Sequence, residues 1–511
     1  MEPGVWRCAD EDAVSLLLGI DVGTSATKAA LVDPAGRVVA QAERSAQLRS
    51  PQPGWAEEDP GEWWANVCSL CRELCWDLPV GAAAAVGVSG MVPAVILLDV
   101  AGRPLRPSIQ QNDARAAAEV EELRRELSGT SVLARTGSPV TQQSVGPTAL
   151  WLARHEPAVW REARTVLGSY DYVAFRLTGA RGVERNWALE SGLYDLATGA
   201  WAEDICAAAG IDPALLPPPR RPDEVVGAVT REAAAETGLP AGTPVVAGSA
   251  DHVASAFAAG IVEDGDLLIK LGSAGDILLA SDDPLVDERL YLDFHLVPGK
   301  FLPNGCMAAS GTFIRWFQRE LAGGAPLEVL DTEAREAGTG AGGIVALPYL
   351  LGEKTPLNDP AARGAFVGLH LGHSRGHLFR AVLEATAFGF RHHLDVFAEL
   401  GRTPARVRVT NGGARSLLWK QVVADVIGHP LQSLASGAGS ELGAAFAAGI
   451  GVGALAEWGE IERFVAVDET VEPDPAAHER YGELYAAYRA LYPALDPVLA
   501  AVRRAGARAP A

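Results

Sequence analysis

Hydrophobic and polar positions change along the chain in short segments that predict a layered α/β protein. Residues 16–33, LLLGIDVGTSATKAALVD, contain an apolar run, a few small polar residues and a second apolar run. This order predicts a β-hairpin with a small-residue turn. The segment RVVAQAERSAQL continues the hairpin as an antiparallel strand. Strands such as AAVGVSG, AVILLDV and TVLGSYDY then alternate with helical segments such as ARAAAEVEELRREL, which is typical of an α/β domain.

One helix start is well marked, and it precedes a group of cysteines. Asp59 is suited to the N-cap, Pro60 to the first helical position and Glu62 to the third. The cysteines of VCSLCRELCW are spaced to share one face of this helix. We interpret them as buried core residues rather than a zinc site, because no fourth ligand is near in sequence. The helix cysteines are Cys68, Cys71 and Cys75; Cys8, Cys206 and Cys306 are scattered, as in reduced proteins.

The opening hairpin has a second copy later in the chain. Residues 266–283, DLLIKLGSAGDILLASDD, repeat the apolar, small-residue, apolar order. With 511 residues, the chain is long enough for two cores, and the repeat predicts two related domains, residues 1–260 and 261–511. If the two turns face each other across a cleft, both present backbone N–H groups to a polyphosphate, and Asp21 can hold magnesium. Taken singly, each segment is better explained as an ordinary hairpin turn.

Charge and missing motifs exclude several classes of function. Lys and Arg number 43 against 64 Asp and Glu, and the net charge of −21 disfavours nucleic acid and anionic membranes as partners. The acidic start MEPGVWRCADEDAVS is unlike a secretory signal, so we expect a cytoplasmic protein. The longest apolar stretch is divided by Gly87, Gly90 and Pro93, which argues against a membrane span. No P-loop occurs, and the G-x-G-x-x-G of AGTGAGGIVALPYL precedes a strand rather than following one.

Six segments together resemble one enzyme family. In chain order they are GIDVGTSATK, PQPGWAEEDPGEWW, DYVAFRLTG, GSADHVASAFAAGI, LPYLLGEKTPLNDPAARGAFVGL and NGGARSLLWKQVVADVIGHPL. No single segment is very specific, but their order and spacing are similar to those of the FGGY family of carbohydrate kinases, most closely its xylulokinase-like branch, from about residue 16 to 450. The resemblance implies an α/β fold of two actin-like (ribonuclease H-like) domains flanking an ATP and sugar cleft.

The resemblance also implies roles for individual residues. Asp251, in GSADH, matches the general base that takes the proton of the attacking sugar hydroxyl; without the resemblance it would be read as a helix N-cap. Asp21 matches the aspartate associated with Mg²⁺. The implied sugar-binding residues are Met91, Val92, Pro93, Gln111, Asn112, Asp113, Asp251 and His252. The implied ATP-binding residues are Gly23, Thr24, Ser25, Lys28, Gly272, Ser273, Ala274, Gly311, Arg315, Gly412, Gly413 and Ala414.

The sugar pocket departs from the family pattern at three positions. Pro93 stands where similar kinases have a histidine, Gln111 where they often have tryptophan, and His252 where asparagine or glutamine is common. Ala274 also replaces a hydroxyl residue in the second turn. Because a pocket specifies a polyol by pairing its hydroxyls, these changes bear on which sugar is preferred.

The predicted function is ATP-dependent phosphorylation of a terminal hydroxyl of a small sugar, with a ketopentose such as D-xylulose as the first expectation. The alternatives are an FGGY kinase for ribulose, gluconate, a tetritol or a deoxysugar, and, from another class, an actin-like ATPase or a sugar sensor without turnover. Asp21 and Asp251 together disfavour the sensor. A homodimer is an expectation from the resemblance, because the C-terminal segment HERYGELYAAYRALYPAL can pack on a partner as well as on its own domain.

Overall fold

The structure, a computed structural model, describes residues 16–75, 83–435 and 439–506. The strands are β1 (Leu16–Val22), β2 (Ala26–Val32), β3 (Val38–Ser45), β4 (Glu57–Glu58), β5 (Ala83–Gly90), β6 (Ile96–Leu98), β7 (Ser108–Ile109), β8 (Thr165–Leu167), β9 (Val183–Glu184), β10 (Tyr194–Asp195), β11 (Ala200–Trp201), β12 (Pro219–Arg220), β13 (Val225–Ala228), β14 (Pro244–Val246), β15 (Ser249–Ala250), β16 (Asp266–Leu271), β17 (Gly275–Leu279), β18 (Tyr291–Phe294), β19 (Phe301–Met307), β20 (Val345–Leu347), β21 (Ala365–Val367), β22 (Arg406–Thr410), β23 (Leu431–Leu434) and β24 (Val467–Val471).

Helices cover both main sheets and form the C-terminal end of the described chain. They are α1 (Pro60–Cys75), α2 (Ala117–Glu126), α3 (Val132–Thr136), α4 (Val145–His155), α5 (Pro157–Glu162), α6 (Ser169–Thr178), α7 (Arg185–Glu190), α8 (Glu203–Ala208), α9 (Arg231–Thr237), α10 (Asp251–Ala258), α11 (Gly311–Glu320), α12 (Leu327–Ala337), α13 (Arg375–Glu399), α14 (Leu417–Ile427), α15 (Ser440–Gly451) and α16 (Pro475–Gly506). Short 3₁₀ helices lie at Pro213–Leu215, Ala341–Gly343, Gly412–Arg415 and Trp458–Phe464.

Two mixed sheets of the same design organise the fold. The first has the order β3-β2-β1-β5-β14-β13, and the second contains the order β19-β17-β16-β22-β23-β24. Along each order, the first two pairs of neighbouring strands are antiparallel, the next two pairs are parallel and the last pair is antiparallel. β18 extends the second sheet beyond β19, and β15 pairs with β5 beside the first path. The duplicated hairpin predicted from the sequence is therefore present as β1-β2 and β16-β17.

The central strands are buried because they are apolar on both faces. Every residue of β1 is buried, and β16 is buried except at Lys270. A strand covered on both sides reads as a continuous apolar run rather than an alternating one. Two hydrophobic cores result, one around each sheet.

Helix α15 belongs to the second half of the sequence but packs on the first sheet. Its Leu442 and Phe446 lie in the first core. The approach is close because two strand residues are glycines: a Cβ atom added at Gly19 would lie 1.7 Å from the carbonyl oxygen of Glu441, and one at Gly87 would lie 2.0 Å from that of Ala444. The domain boundary at residues 260 and 261 stays a prediction, and α15 ties the two halves together across it.

Local predictions have mixed outcomes. Helix α1 begins at Pro60, and Asp59 Oδ1 accepts a hydrogen bond from the N–H of Gly61 at 2.8 Å, as expected for an N-cap. The segment TVLGSYDY is a strand only over β8; α6 begins at Ser169, because the N–H of Gly168 donates to Asp171 Oδ2 at 3.0 Å and caps the helix.

Two of the three cysteines of α1 are core residues as predicted, and the third, Cys75, is half-buried against the first core. Cys68 and Cys71 are buried, and burial raises the pKa of both thiols. Cys8 lies outside the described residues. At the C-terminal end, α16 inserts a row of tyrosines into the second core, so this helix packs on its own domain: Tyr481, Tyr485, Tyr488 and Tyr492. Among the described helices, none is both long and apolar enough to cross a bilayer.

Candidate active site

Three cavities are lined by residues of the two hairpins β1-β2 and β16-β17. The first has a volume of about 280 Å³, the second about 730 Å³ and the third about 640 Å³. Lys270 lines the first and third cavities, and Lys28 lines the second and third. The third cavity is therefore adjacent to each of the other two.

The first cavity brings together four of the eight predicted sugar-binding residues and one predicted ATP-binding residue. Val92, Gln111, Asp251, His252 and Ala274 all line it. These side chains come from both halves of the chain, so the cavity exists only in the assembled fold. The Nε2 amide of Gln143, which also lines the cavity, donates to Gln111 Oε1 at 2.8 Å and orients that side chain.

Four predicted sugar-binding residues do not line the first cavity. Met91 and Pro93 are buried in the first core region, and Asn112 is exposed outside the cavity. Asp113 is buried and fully engaged: Oδ2 accepts from the N–H of Ala56 at 2.6 Å, and both carboxylate oxygens accept from Arg115. In this structure, Asp113 anchors a loop instead of facing the cavity.

Asp251 is the first residue of α10 and lies at the inner wall of the first cavity. Its Oδ1 accepts a hydrogen bond from the backbone N–H of His252 at 2.6 Å. Burial alone would raise the pKa of Asp251, but the neighbouring His252 and Lys270 outweigh it and hold that pKa below 3.8. The carboxylate is therefore ionised at neutral pH, which is the state a general base requires.

His252 is held by groups that the sequence did not indicate. Its Nε2 lies 2.7 Å from Asp293 Oδ2 on β18 and 3.9 Å from Glu190 Oε1 at the end of α7. Asn304 Nδ2 on β19 donates to the same Asp293 oxygen at 2.7 Å. Despite burial, the carboxylates around it raise the pKa of His252 well above 6.5, so the ring carries a positive charge.

Asp21 lies at the end of β1 in an environment suited to a cation. Ser89 donates to its Oδ1 at 2.9 Å, and Lys28 is its partner across the hairpin. Burial, together with the charges of Asp251 and Glu441, raises the pKa of Asp21 from 3.8 to about 7. Carboxylate and hydroxyl oxygens are the kind of ligand that Mg²⁺ favours, so Asp21 fits the expected ion.

The second cavity is lined by predicted nucleotide-binding residues. They are Lys28, Gly272, Ser273, Gly311, Arg315, Gly412 and Gly413. The turn of the second hairpin is fixed against α11, because the N–H groups of Gly311 and Thr312 donate to the carbonyl oxygens of Gly272 and Ser273. A Cβ atom at Gly311 would lie 2.6 Å from the Gly272 oxygen, so this contact requires glycine.

The remaining predicted ATP-binding residues lie apart from the three cavities. Gly23, Thr24 and Ser25 form the turn of the first hairpin, with Thr24 and Ser25 exposed. Ala414 packs against the second core. Their contact with a nucleotide stays a prediction.

Lys270, Asp276 and Lys354 line the first cavity but were not predicted as site residues. The duplicated hairpin contained a signal for two of them. Lys270 precedes Gly272 by two positions, as Asp21 precedes Gly23, and it is paired in register with Asp276. Glu190, Asp293 and Asn304 offered no such signal, because no motif surrounds them.

Comparison with known proteins identifies the family of this chain. The family model for the N-terminal domain of the FGGY family of carbohydrate kinases matches residues 16–258, and that for its C-terminal domain matches residues 268–452. The xylulose kinase of Bacillus subtilis is 31% identical over 478 residues, covering 93% of this chain and 96% of that protein. The xylulose kinase of Staphylococcus epidermidis (strain ATCC 12228) is 29% identical over 484 residues, covering 93% and 96%.

A solved structure gives the same result for the fold. The crystal structure of xylulose kinase from Rhodospirillum rubrum has 49% sequence identity to this chain and a TM-score of 0.90, covering 95% of this chain and 99% of that one. The predicted actin-like (ribonuclease H-like) architecture of two α/β domains is thus confirmed, as is the prediction of a phosphotransferase that acts on a sugar with ATP. The chain belongs to the FGGY family of carbohydrate kinases, on its xylulokinase-like side.

Proposed function

We propose that this kinase transfers the γ-phosphoryl group of Mg²⁺-ATP to a terminal hydroxyl of a ketopentose, with D-xylulose as the substrate and Asp251 as the general base. The main support is the position of Asp251: an ionised carboxylate at the start of α10, in a cavity that both domains line. The names of the similar proteins support xylulose as the sugar. A cytoplasmic location and a homodimer stay predictions.

The proposed step follows from the charges around the cavities. The sugar hydroxyl in the first cavity gives its proton to Asp251 as its oxygen bonds to the γ-phosphorus, and the bond from phosphorus to the leaving oxygen of ADP breaks. Lys270, which lines both the first and third cavities, offsets the negative charge of the transferred group. Asp21 would hold the Mg²⁺ ion, which supplies further charge neutralisation.

The test measures ADP release from Mg²⁺-ATP with D-xylulose, D-ribulose, gluconate and a set of polyols, for the natural chain and for Asp251→Asn. Asp212→Asn is the matched control, because Asp212 caps an exposed turn by accepting from the N–H of Ala214 at 2.9 Å. We expect strong stimulation by D-xylulose, lost in Asp251→Asn and kept in Asp212→Asn. Full turnover in Asp251→Asn would show that Asp251 is not the general base. ATP hydrolysis that no sugar stimulates would instead support an ATPase.

A further inference from the structure

His252 contacts Asp251 through one carboxylate oxygen. The backbone N–H of His252 donates to Asp251 Oδ1 at 2.6 Å, and the ring Nδ1 lies 3.4 Å from the same atom. Among the described residues, no hydrogen bond is made to Asp251 Oδ2. The arrangement therefore fixes the carboxylate on one side and keeps the other oxygen available to a ligand in the cavity.

The opposite side of the His252 ring is anchored to the second domain. Nε2 lies 2.7 Å from Asp293 Oδ2, and Asn304 donates to that oxygen as well. Asp293 is nearly inaccessible, with 1% of its side chain exposed. A buried carboxylate held by a second donor fixes the position of a histidine ring and favours its protonated form.

Glu190, at the end of α7, is the second carboxylate beside the Nε2 atom of His252. Its Oε1 and Asp293 Oδ1 are both buried and have no hydrogen-bond partner if both carboxylates are ionised. Burial, followed by the charge of Asp293, raises the pKa of Glu190 well above 4.5. Protonated Glu190 has a hydrogen to donate, so the pair can be satisfied without a third group.

A metal ion at these three residues is the competing interpretation. The potential ligand atoms of Glu190, His252 and Asp293 lie within 4.8 Å of one another. However, Nε2 is already at hydrogen-bond distance from Asp293, and Nδ1 faces Asp251. Nε2 is thus hydrogen-bonded to one carboxylate and Nδ1 lies at ion-pair distance from a second, which favours a charged imidazole over a metal ligand.

We propose that His252 is a positioning residue for phosphoryl transfer: anchored by Asp293, its ring orients Asp251 through Oδ1, so that Oδ2 accepts the proton of the sugar hydroxyl. This inference rests on the proposed role of Asp251 as the base. It gives His252 a different role from the sugar contact predicted from the sequence. The charged groups that face Asp251 and His252 are Asp21 from β1, Glu190 from α7, Asp293 from β18 and Lys270 from β16. Because the positive ring stabilises ionised Asp251, its loss raises the pH needed to form the active base.

The experiment compares His252→Gln, Asp293→Asn and Asp251→Asn with the natural chain, using D-xylulose and Mg²⁺-ATP. His155→Gln is the matched control, because His155 stacks on Trp151 outside the three cavities. For His252→Gln we expect kcat to fall about 10- to 100-fold, less than the roughly 100- to 10,000-fold that a well-placed base contributes as a whole. We expect KM for sugar and ATP to stay near the natural values and the acid limb of kcat/KM to move to higher pH. Asp293→Asn should also lower kcat and move the acid limb of kcat/KM to higher pH, with smaller changes than His252→Gln.

The outcomes separate this inference from the proposed function. If Asp251→Asn is inactive but His252→Gln keeps the natural kcat and pH profile, the positioning role of His252 is overturned. The role of Asp251 as the base would then still stand. A higher sugar KM at unchanged kcat would overturn it too, since it would make His252 a sugar contact. Turnover that survives in Asp251→Asn would contradict the proposed function itself. If His252→Gln does not fold, as judged by its melting temperature and ADP binding, the acid limb of Asp293→Asn decides the question.

Discussion

Lys270 and Asp276 lie opposite each other in the hairpin of the second sheet, with Lys270 Nζ 3.7 Å from Asp276 Oδ2. Asp21 and Lys28 lie opposite each other at the corresponding place in the first hairpin. The duplicated design therefore carries one acid and one base in each hairpin, with their order along the chain reversed. Because the two hairpins border the same cleft, each half contributes one lysine to the cavities where the phosphates are proposed to bind.

Replacing Lys270 should impair phosphoryl transfer. Its Nζ also lies 3.3 Å from Ser255 Oγ, which holds the ammonium group beside the first and third cavities. We expect Lys270→Met to lower kcat/KM about 100-fold, the size of effect seen when one preorganised charge-stabilising donor is removed. Steady-state kinetics with Lys300→Met as control would measure it, since Lys300 pairs with Asp282 at 2.6 Å away from the cavities. If Lys270→Met has the same kcat/KM as the natural chain, the charge of Lys270 does not contribute to phosphoryl transfer.

Gln111 should affect the sugar and not the nucleotide. Its Oε1 is occupied by Gln143, so its amide N–H₂ is the part available to a sugar oxygen. We expect Gln111→Ala to raise the KM for the sugar about 10-fold, corresponding to the loss of one hydrogen bond. The KM for ATP, measured with the same protein, is the internal control. A rise in both values, or in neither, would contradict a direct sugar contact.

Glu58 should make stability depend on pH. Its Oε2 accepts from the indole N–H of Trp63 at 2.7 Å, while Oε1 is buried without a partner. Burial raises the pKa of Glu58 from 4.5 to about 7. The folded state therefore keeps a proton that the unfolded state has lost, and this group lowers the free energy of unfolding as pH rises from about 4.5 to about 7.

Glu58→Gln should remove that dependence. We expect the free energy of unfolding of Glu58→Gln, taken relative to that of the natural chain, to rise by about 1–3 kcal/mol between pH 5 and pH 8, a range that follows from the size of the pKa shift. Urea unfolding at both pH values would measure the difference. Glu121→Gln is the control, because the Glu121 side chain is 67% exposed. An equal effect of Glu58→Gln at both pH values would mean that Glu58 titrates normally in the folded protein.

Gly87→Ala should separate α15 from the first sheet. The added methyl group would lie 2.0 Å from the carbonyl oxygen of Ala444, so either β5 or α15 would have to move to relieve the contact. We expect a loss of at least about 1–3 kcal/mol in stability, as for an overpacked core. Activity should fall as well, because α15 carries Glu441 into the third cavity. Thermal unfolding and kinetics test this, with Gly129→Ala as control, where a Cβ atom meets nothing within 4 Å. An unchanged melting temperature would show that the contact is looser than described.

Local patterns were sufficient for much of the fold. The two hairpins, the start of α1 at Pro60, the buried cysteines and the amphipathic α16 depend on neighbouring residues along the chain, and each was predicted. The segment after β8 was misassigned, because the capping of α6 by Asp171 overrode an apolar run that looked like a continuing strand. For the site, motif residues such as Asp21, Asp251 and Gly272 could be named, since spacing within a turn or helix start is a local property.

The sequence by itself determined that the chain has two related α/β halves, that each half has a small-residue hairpin turn, and which aspartates stand at strand and helix ends. Only the tertiary structure decided that Glu190, Asp293 and Asn304 surround His252, and that Asp113 faces Arg115 rather than the first cavity. It also decided that α15 crosses to the first sheet. The physical reason is the same in each case: these contacts join residues distant in sequence, and their geometry follows from sheet register and core packing, which no local pattern specifies.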